Sequence, residues 1–257
     1  MRNLKVRTAY NGTAYHGWQR QNNNITVQQI FEELIGKITD SRVTVHGCSR
    51  TDAGVHAREF CFSFNTESPI PCPGLMRALN AMLPDDIAVL SCEEAPEDFH
   101  ARFSAKGKEY VYLVNNAQHK DPFGSRLALF YPYRLDEKRL DNAAKLFVGT
   151  HDFGAFCKAE AKEHLATTVR TVWDMSVTRS GDTVSFTVSG DGFLHNMVRI
   201  LVGTLIYINE GKRTENDILR SLETGERDMA GITIPPHGLY LNKVFYTGRD
   251  TKENENT

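Results

Sequence analysis

The ten residues Gly47-Cys-Ser-Arg-Thr-Asp-Ala-Gly-Val-His56 gather one carboxylate, one base-capable ring, one guanidinium and two glycines. Together they read as a reactive loop centred on Asp52, with His56 as a candidate base for acid–base or hydrolytic chemistry. His46 and Cys48 invite a thiol nucleophile, but adjacent strand-end residues are weak evidence because base and nucleophile must meet in space. An aspartate in such a segment also suits an Asx-turn or a helix cap, the commoner use of this residue type.

The flanks explain why the segment is a loop. Arg42-Val-Thr-Val45 has the β-branched content of a strand, and Phe60, Phe62 and Phe64 alternate with Cys61 and Ser63 in another. The acid therefore sits on a connection presented by a rigid sheet, where functional residues concentrate. Gly47 and Gly54 are read as supplying backbone freedom on its two sides.

Other stretches offer chemistry further away. Tyr10 to Asn24 is a long polar and aromatic connection in which Tyr15, Trp18, Gln19 and Arg20 suit stacking on bases and contact with phosphates, although Trp18 serves equally well as the cover of a core edge. Lys158 to His164 is polar and basic, either a contact loop or a solvated connection. Tyr110 follows Lys106 and Lys108 and is either a core residue or the wall of a site. Arg199 lies between Val198 and Ile200 in an apolar helix, where a buried charge needs a carboxylate partner unless it points to solvent.

One pattern of elements occurs twice. Leu4, Val6, Thr8 and Tyr10 alternate as a strand, and Val27, Ile30, Phe31, Leu34, Ile35 and Ile38 repeat as a helix opened by a Thr26/Gln29 capping box. The two strands around Asp52, a helix near Gly74 to Met82 and a strand at Ile87 to Leu90 complete a βαββαβ unit, the split βαβ arrangement. The second half repeats it with insertions. A strand at Tyr110 to Val114, a helix at Leu140 to Phe147, a hairpin turned by Ser180-Gly-Asp182, an apolar helix from Met197 to Ile208, an extra helix at Asn216 to Leu222 and a last strand at Leu239 to Tyr246 follow in order. The expected fold is α+β: two ferredoxin-like halves, residues 1–104 and 105–248, with joined sheets, helices on one face and the active-site cleft between the halves. A polar tail at 249–257 is expected to be disordered.

Composition narrows the classes. With 257 residues and 40% hydrophobic content the chain can bury a sizeable core, and its net charge of −2 means that nucleic-acid binding would rest on a local basic surface. Five cysteines without a CxxC pair signal neither a disulfide framework nor a zinc site. No GxGxxG after a strand, GxxxxGK[ST] or GxSxG is present, so nucleotide-dependent and α/β-hydrolase readings have no footing. No stretch is long enough to span a bilayer and the opening reads directly into a strand, so a cytoplasmic protein without metal or cofactor is expected.

Arg50-Thr-Asp-Ala-Gly-Val-His56-Ala, taken with Tyr10-Asn-Gly-Thr, Gly17-Trp-Gln-Arg-Gln and Phe193-Leu-His-Asn-Met-Val-Arg199, closely resembles the TruA family of tRNA pseudouridine synthases. The resemblance runs from Leu4 to about Tyr246 and takes in Thr26-Val-Gln28, Leu83-Pro84, Ala101-Arg-Phe-Ser104 and Gly238-Leu-Tyr-Leu241. It implies a cofactor-independent isomerase that converts uridine to pseudouridine at positions 38 to 40 of the tRNA anticodon stem-loop, working as a homodimer. By the resemblance Asp52 is the nucleophile, Tyr110 stacks on the target base, Arg199 pairs with Asp52, and Arg50 helps to hold the flipped nucleotide. Such an arginine keeps a carboxylate ionised and aims it. Ser49 stands where the family often has glycine, and Lys108 and Glu109 stand where it is often more basic. A non-catalytic RNA-binding module and a hydrolase releasing uracil are the rival readings.

Overall fold

A computed structural model of the chain describes residues 1–162 and 165–247. The Lys158 to His164 stretch lies partly, and the 249–257 tail wholly, outside the described residues. The chain forms two compact units, Met1–Gly107 with the segment that begins at Leu241, and Lys108–Tyr240. The first unit runs β1 (Arg2–Tyr10), α1 (Val27–Thr39), β2 (His46–Gly47), β3 (His56–Thr66), α2 (Cys72–Met82) and β4 (Ile87–Ala95). The second runs β5 (Gly107–Asn115), β6 (Leu129–Phe130), α3 (Glu137–Ala144), β7 (Gly149–Asp152), α4 (Ala159–Lys162), β8 (Val169–Ser180), β9 (Thr183–Gly190), α5 (Met197–Asn209) and α6 (Glu215–Thr224). Finally β10 (Leu239–Phe245) carries the chain back to the first unit. The whole is a mixed α/β chain of open sheet and helices.

In the first unit the sheet order is β4-β1-β3-β10, and β2 adds to β3 through the pairs His46↔Ser63 and Gly47↔Phe62. Both neighbours of β1 are antiparallel to it, in a register that sets Val6 opposite Phe62 on one side and Cys92 on the other. Leu4, Val6, Phe31, Ile35, Phe60 and Phe62 are fully buried. Their periods of two in the strands and of 3.6 in the helix bring these apolar residues into one core.

Trp18 belongs to that core. Its indole is 1% exposed and stacks on Phe60 with ring centroids 4.0 Å apart, flanked by Phe31 and Phe62. Of its two expected uses, covering the core edge is the one found. Trp18→Ala is accordingly expected to lower unfolding free energy by about 3–5 kcal/mol. Urea unfolding measures this, and a change below about 1 kcal/mol would remove the indole from the core.

Three local expectations fail for physical reasons. Residues 42–45 are not a strand: the Val45 N–H donates to Glu32 Oε1 at 3.3 Å and its carbonyl accepts from Gln28 Nε2 at 3.2 Å, so side chains of α1 take the backbone groups that a ladder would use. Thr26 does cap α1, its hydroxyl accepting from the Gln29 N–H. The Gln29 side chain, however, donates to Glu33 at 2.8 Å instead of completing the box. Gly47 contributes room rather than backbone freedom. A Cβ there would run into the Trp18 indole, whereas Gly54, at φ +77°, does use the left-handed region.

In the second unit the antiparallel order is β5-β9-β8-β7, and β6 adds parallel to β5. The β8–β9 hairpin turns at Gly181, φ +57°. Helix α5 is buried at ten of its thirteen positions, which accounts for its uniformly apolar sequence. Among the described residues no helix is long and apolar enough to cross a membrane.

Candidate active site

Asp52 opens a tight turn. The Val55 N–H donates to the Asp52 carbonyl at 3.1 Å, and Gly54 occupies the position that requires positive φ. The turn residue and the catalytic candidate are thus the same residue, because the turn uses its backbone carbonyl. Asp52 is half-buried, between buried Thr51 and buried Val55.

The turn is locked from behind by the segment that follows β1. The Trp18 N–H donates to the Thr51 carbonyl at 3.3 Å and the Gly54 N–H to the Tyr15 carbonyl at 3.2 Å. Tyr10 and Thr51 share a hydroxyl hydrogen bond of 2.9 Å. The Gly12 N–H donates to His56 Nδ1 at 3.0 Å, and His56 is 1% exposed. His56 Nδ1 is thus used as an acceptor in the frame. The approach is close enough to demand glycine twice. A Cβ on Gly12 would collide with the Val55 carbonyl, and one on Gly17, φ +82°, with the Thr51 carbonyl. Tyr15 completes the frame by donating its phenol to Asp86, and that bond with burial raises its pKa.

The thiol alternative fails on placement. Cys48 is 1% exposed and its Sγ accepts the Cys61 N–H at 3.4 Å, whereas His46 is exposed and its ring packs 4.8 Å from that of His100. Arg50, on the same loop as Asp52, is exposed and lines a cleft of about 320 Å³ with His46, His100, Arg102 and Phe103. No signal in the local sequence announces that cleft, since its walls come from four separate stretches.

Tyr110 and Arg199 belong to the second unit. Tyr110 lies on β5 opposite Val188 of β9, is 7% exposed, and meets Phe193 edge-on at 5.2 Å. Arg199 is half-buried near the start of α5. Its Nε donates to the Ile234 carbonyl at 2.7 Å and its Nη1 to Asn196 Oδ1 at 2.7 Å. Both acceptors are neutral oxygens that fix the direction of the guanidinium. Asn196 adopts φ +64° at the helix start, one of two non-glycine residues with positive φ among the described residues. The carbonyl that Arg199 uses is brought in by close packing: Gly203 and Gly231 meet backbone to backbone, and the Gly231 N–H donates to Thr204 Oγ1 at 2.8 Å. On the adjacent Pro235 carbonyl sits the Tyr112 phenol at 2.7 Å, its pKa raised by burial and eased down by Arg199. Among the described residues no group of three or more potential metal ligands comes together.

The first unit thus carries the Asp52 carboxylate on a turn framed by the segment that follows β1. Residues 7–104 and 143–247 match the family described as tRNA pseudouridine synthase, and the chain belongs to that family, which makes it an isomerase. It is 44% identical to "tRNA pseudouridine synthase A" of Acetivibrio thermocellus and 42% identical to the protein of that name from Thermoanaerobacter sp. (strain X514), each over 246 residues that cover 96% of this chain and 100% of the relative. It is 41% identical to the "tRNA pseudouridine synthase A" of Exiguobacterium sibiricum, over 96% of this chain and 97% of that protein.

Proposed function

We propose that the chain isomerises uridine to pseudouridine at positions 38–40 of the tRNA anticodon stem-loop, with Asp52 as the nucleophile. The observation that carries this reading is the main-chain frame around Asp52, which holds a carboxylate at a loop tip in a chain whose family match spans both units. The net reaction breaks the N1–C1′ bond, forms the C5–C1′ bond and moves one proton from C5 to N1. No oxidant, reductant or group donor enters that balance.

In this reading the two units are ferredoxin-like halves with a cleft between them. The order β4-β1-β3 with β2 on β3 supports it for the first half. Arg199 reaches Asp52 and aims it, Tyr110 stacks on the base, and Arg50 holds the nucleotide outside the stem. Extruding the base costs a few kcal/mol, which stacking and phosphate contacts offset. The enzyme is a homodimer of the cytoplasm; a monomer in sedimentation would remove that part.

Incubation of purified protein with an unmodified tRNA transcript tests the reading. Pseudouridine is expected at 38–40, with no free uracil. Release of uracil would instead make the protein a hydrolase, and RNA binding without either product would make it a binding module.

A further inference from the structure

Ala101-Arg-Phe-Ser104 has no part in the chemistry proposed above, yet the fold presents it with unusual care. The Ala101 N–H donates to buried Ser63 Oγ at 3.1 Å, and the Ala101 carbonyl accepts from the Tyr246 hydroxyl at 2.8 Å. The His100 N–H donates to Ser104 Oγ at 3.1 Å, while the Ser104 N–H returns to the His100 carbonyl at 2.9 Å. His100 Nδ1 accepts the Arg102 N–H at 3.1 Å and the Phe103 N–H at 3.4 Å. A turn fixed at this many points nevertheless leaves Phe103 75% exposed. Burying a phenyl ring of this kind is worth about 1.5–3 kcal/mol, so a locked turn that withholds one from the core displays it as a surface.

The surroundings define what the surface takes. The rings of His46, His100 and Phe103 form a series, with centroids 4.8 Å and 4.4 Å apart and planes tilted by about 35°. The Arg102 guanidinium lies 5.8 Å from the Phe103 centroid. These groups and Arg50 line the same cleft of about 320 Å³, at the small end of the roughly 300–1,000 Å³ range of ligand clefts. Flat rings beside two arginines match a flat base joined to a phosphate.

We propose that this cleft of the first unit is a second nucleotide subsite, which stacks a base of the RNA on Phe103 and His100 and holds its phosphate with Arg102. It rests on the proposed function only in that the ligand is RNA. The base held is one other than the isomerised uridine, because Phe103 offers a platform and no carboxylate lines this cleft.

Phe103→Ala, Phe103→Trp and Arg102→Gln proteins should be compared with the parent for binding of an unmodified tRNA transcript across salt concentrations. Phe103→Ala is expected to weaken binding about tenfold, with Phe103→Trp restoring it and thermal unfolding unchanged. Arg102→Gln is expected to reduce the slope of log affinity against log salt by about one. Parental binding by Phe103→Ala, or a Phe103→Trp protein no better than Phe103→Ala, would overturn the subsite. RNA binding that depends on Phe103 in a protein that forms no pseudouridine would leave the subsite standing and remove the proposed function alone.

Discussion

Asp52→Ala protein is expected to unfold as the parent does, to bind tRNA, and to form pseudouridine at least about 10⁴-fold more slowly, the scale on which removal of a reacting group acts in other enzymes. The two halves of this expectation have separate origins. Stability survives because backbone groups take part in fixing the turn: the Asp52 carbonyl receives the Val55 N–H, and the Thr51 carbonyl receives the Trp18 N–H. Truncating the side chain leaves those bonds in place. The rate collapses because, in the proposed reading, the Asp52 carboxylate is the attacking group and alanine has none. Asp52→Asn, nearly isosteric, should be as inactive. Single-turnover formation of pseudouridine at the parental rate by either variant would remove the nucleophile from Asp52.

Gly17→Ala is expected to be the most damaging change at a residue that touches no substrate. Two effects combine. An alanine at φ +82° carries about 1–2 kcal/mol of backbone strain, and its Cβ would also collide with the Thr51 carbonyl, an atom of the backbone that carries Asp52. Relief of the collision must displace the loop, and a shift of about 1 Å in a reacting group can cost 10²-fold in rate. The expected result is about 2 kcal/mol or more of lost stability together with about a 10²-fold fall in turnover. Gly181→Ala separates the causes. Its φ is +57° and a Cβ there meets nothing within 4 Å, so it should show the strain in urea unfolding and parental turnover. Equal effects of the two substitutions on turnover would mean that the frame does not position Asp52.

Long elements with steady hydrophobic periods were legible in the chain. β1, α1 and α5 lie where alternation or helical spacing put them, because each buries one continuous set of apolar side chains. The two-residue strands β2 and β6 and the four-residue β7 and α4 are too short to carry a period. Arg42 to Val45 misleads because β-branched composition reports a wish to be buried in extended form, and Val43 and Val45 are indeed buried. Which partner takes their backbone groups is decided by Gln28 and Glu32, on a different element.

Asp52 and Arg50 could be read from a dense local motif. The frame behind them could not, since it joins residues 10–18 to residues 51–56 in part through backbone groups, as between Trp18 and Thr51 and between Gly54 and Tyr15, which carry no mark of residue type. Glycines at 12 and 17 mark that something approaches closely, without saying what. Trp18 illustrates the converse problem: an indole among polar neighbours advertises stacking, and only the positions of Phe31, Phe60 and Phe62 reveal that its stacking partners are internal.

The first unit is assembled from two stretches far apart in the chain. The Lys106 N–H donates to the Phe245 carbonyl at 2.7 Å, and Tyr246 holds Ala101 by its hydroxyl. The segment bearing Asp52 is therefore synthesised well before the stretch from Leu241 that its unit needs in order to close. Premature termination between His56 and Leu241 would yield a chain with every residue of the carboxylate loop and no means of finishing the unit that supports it.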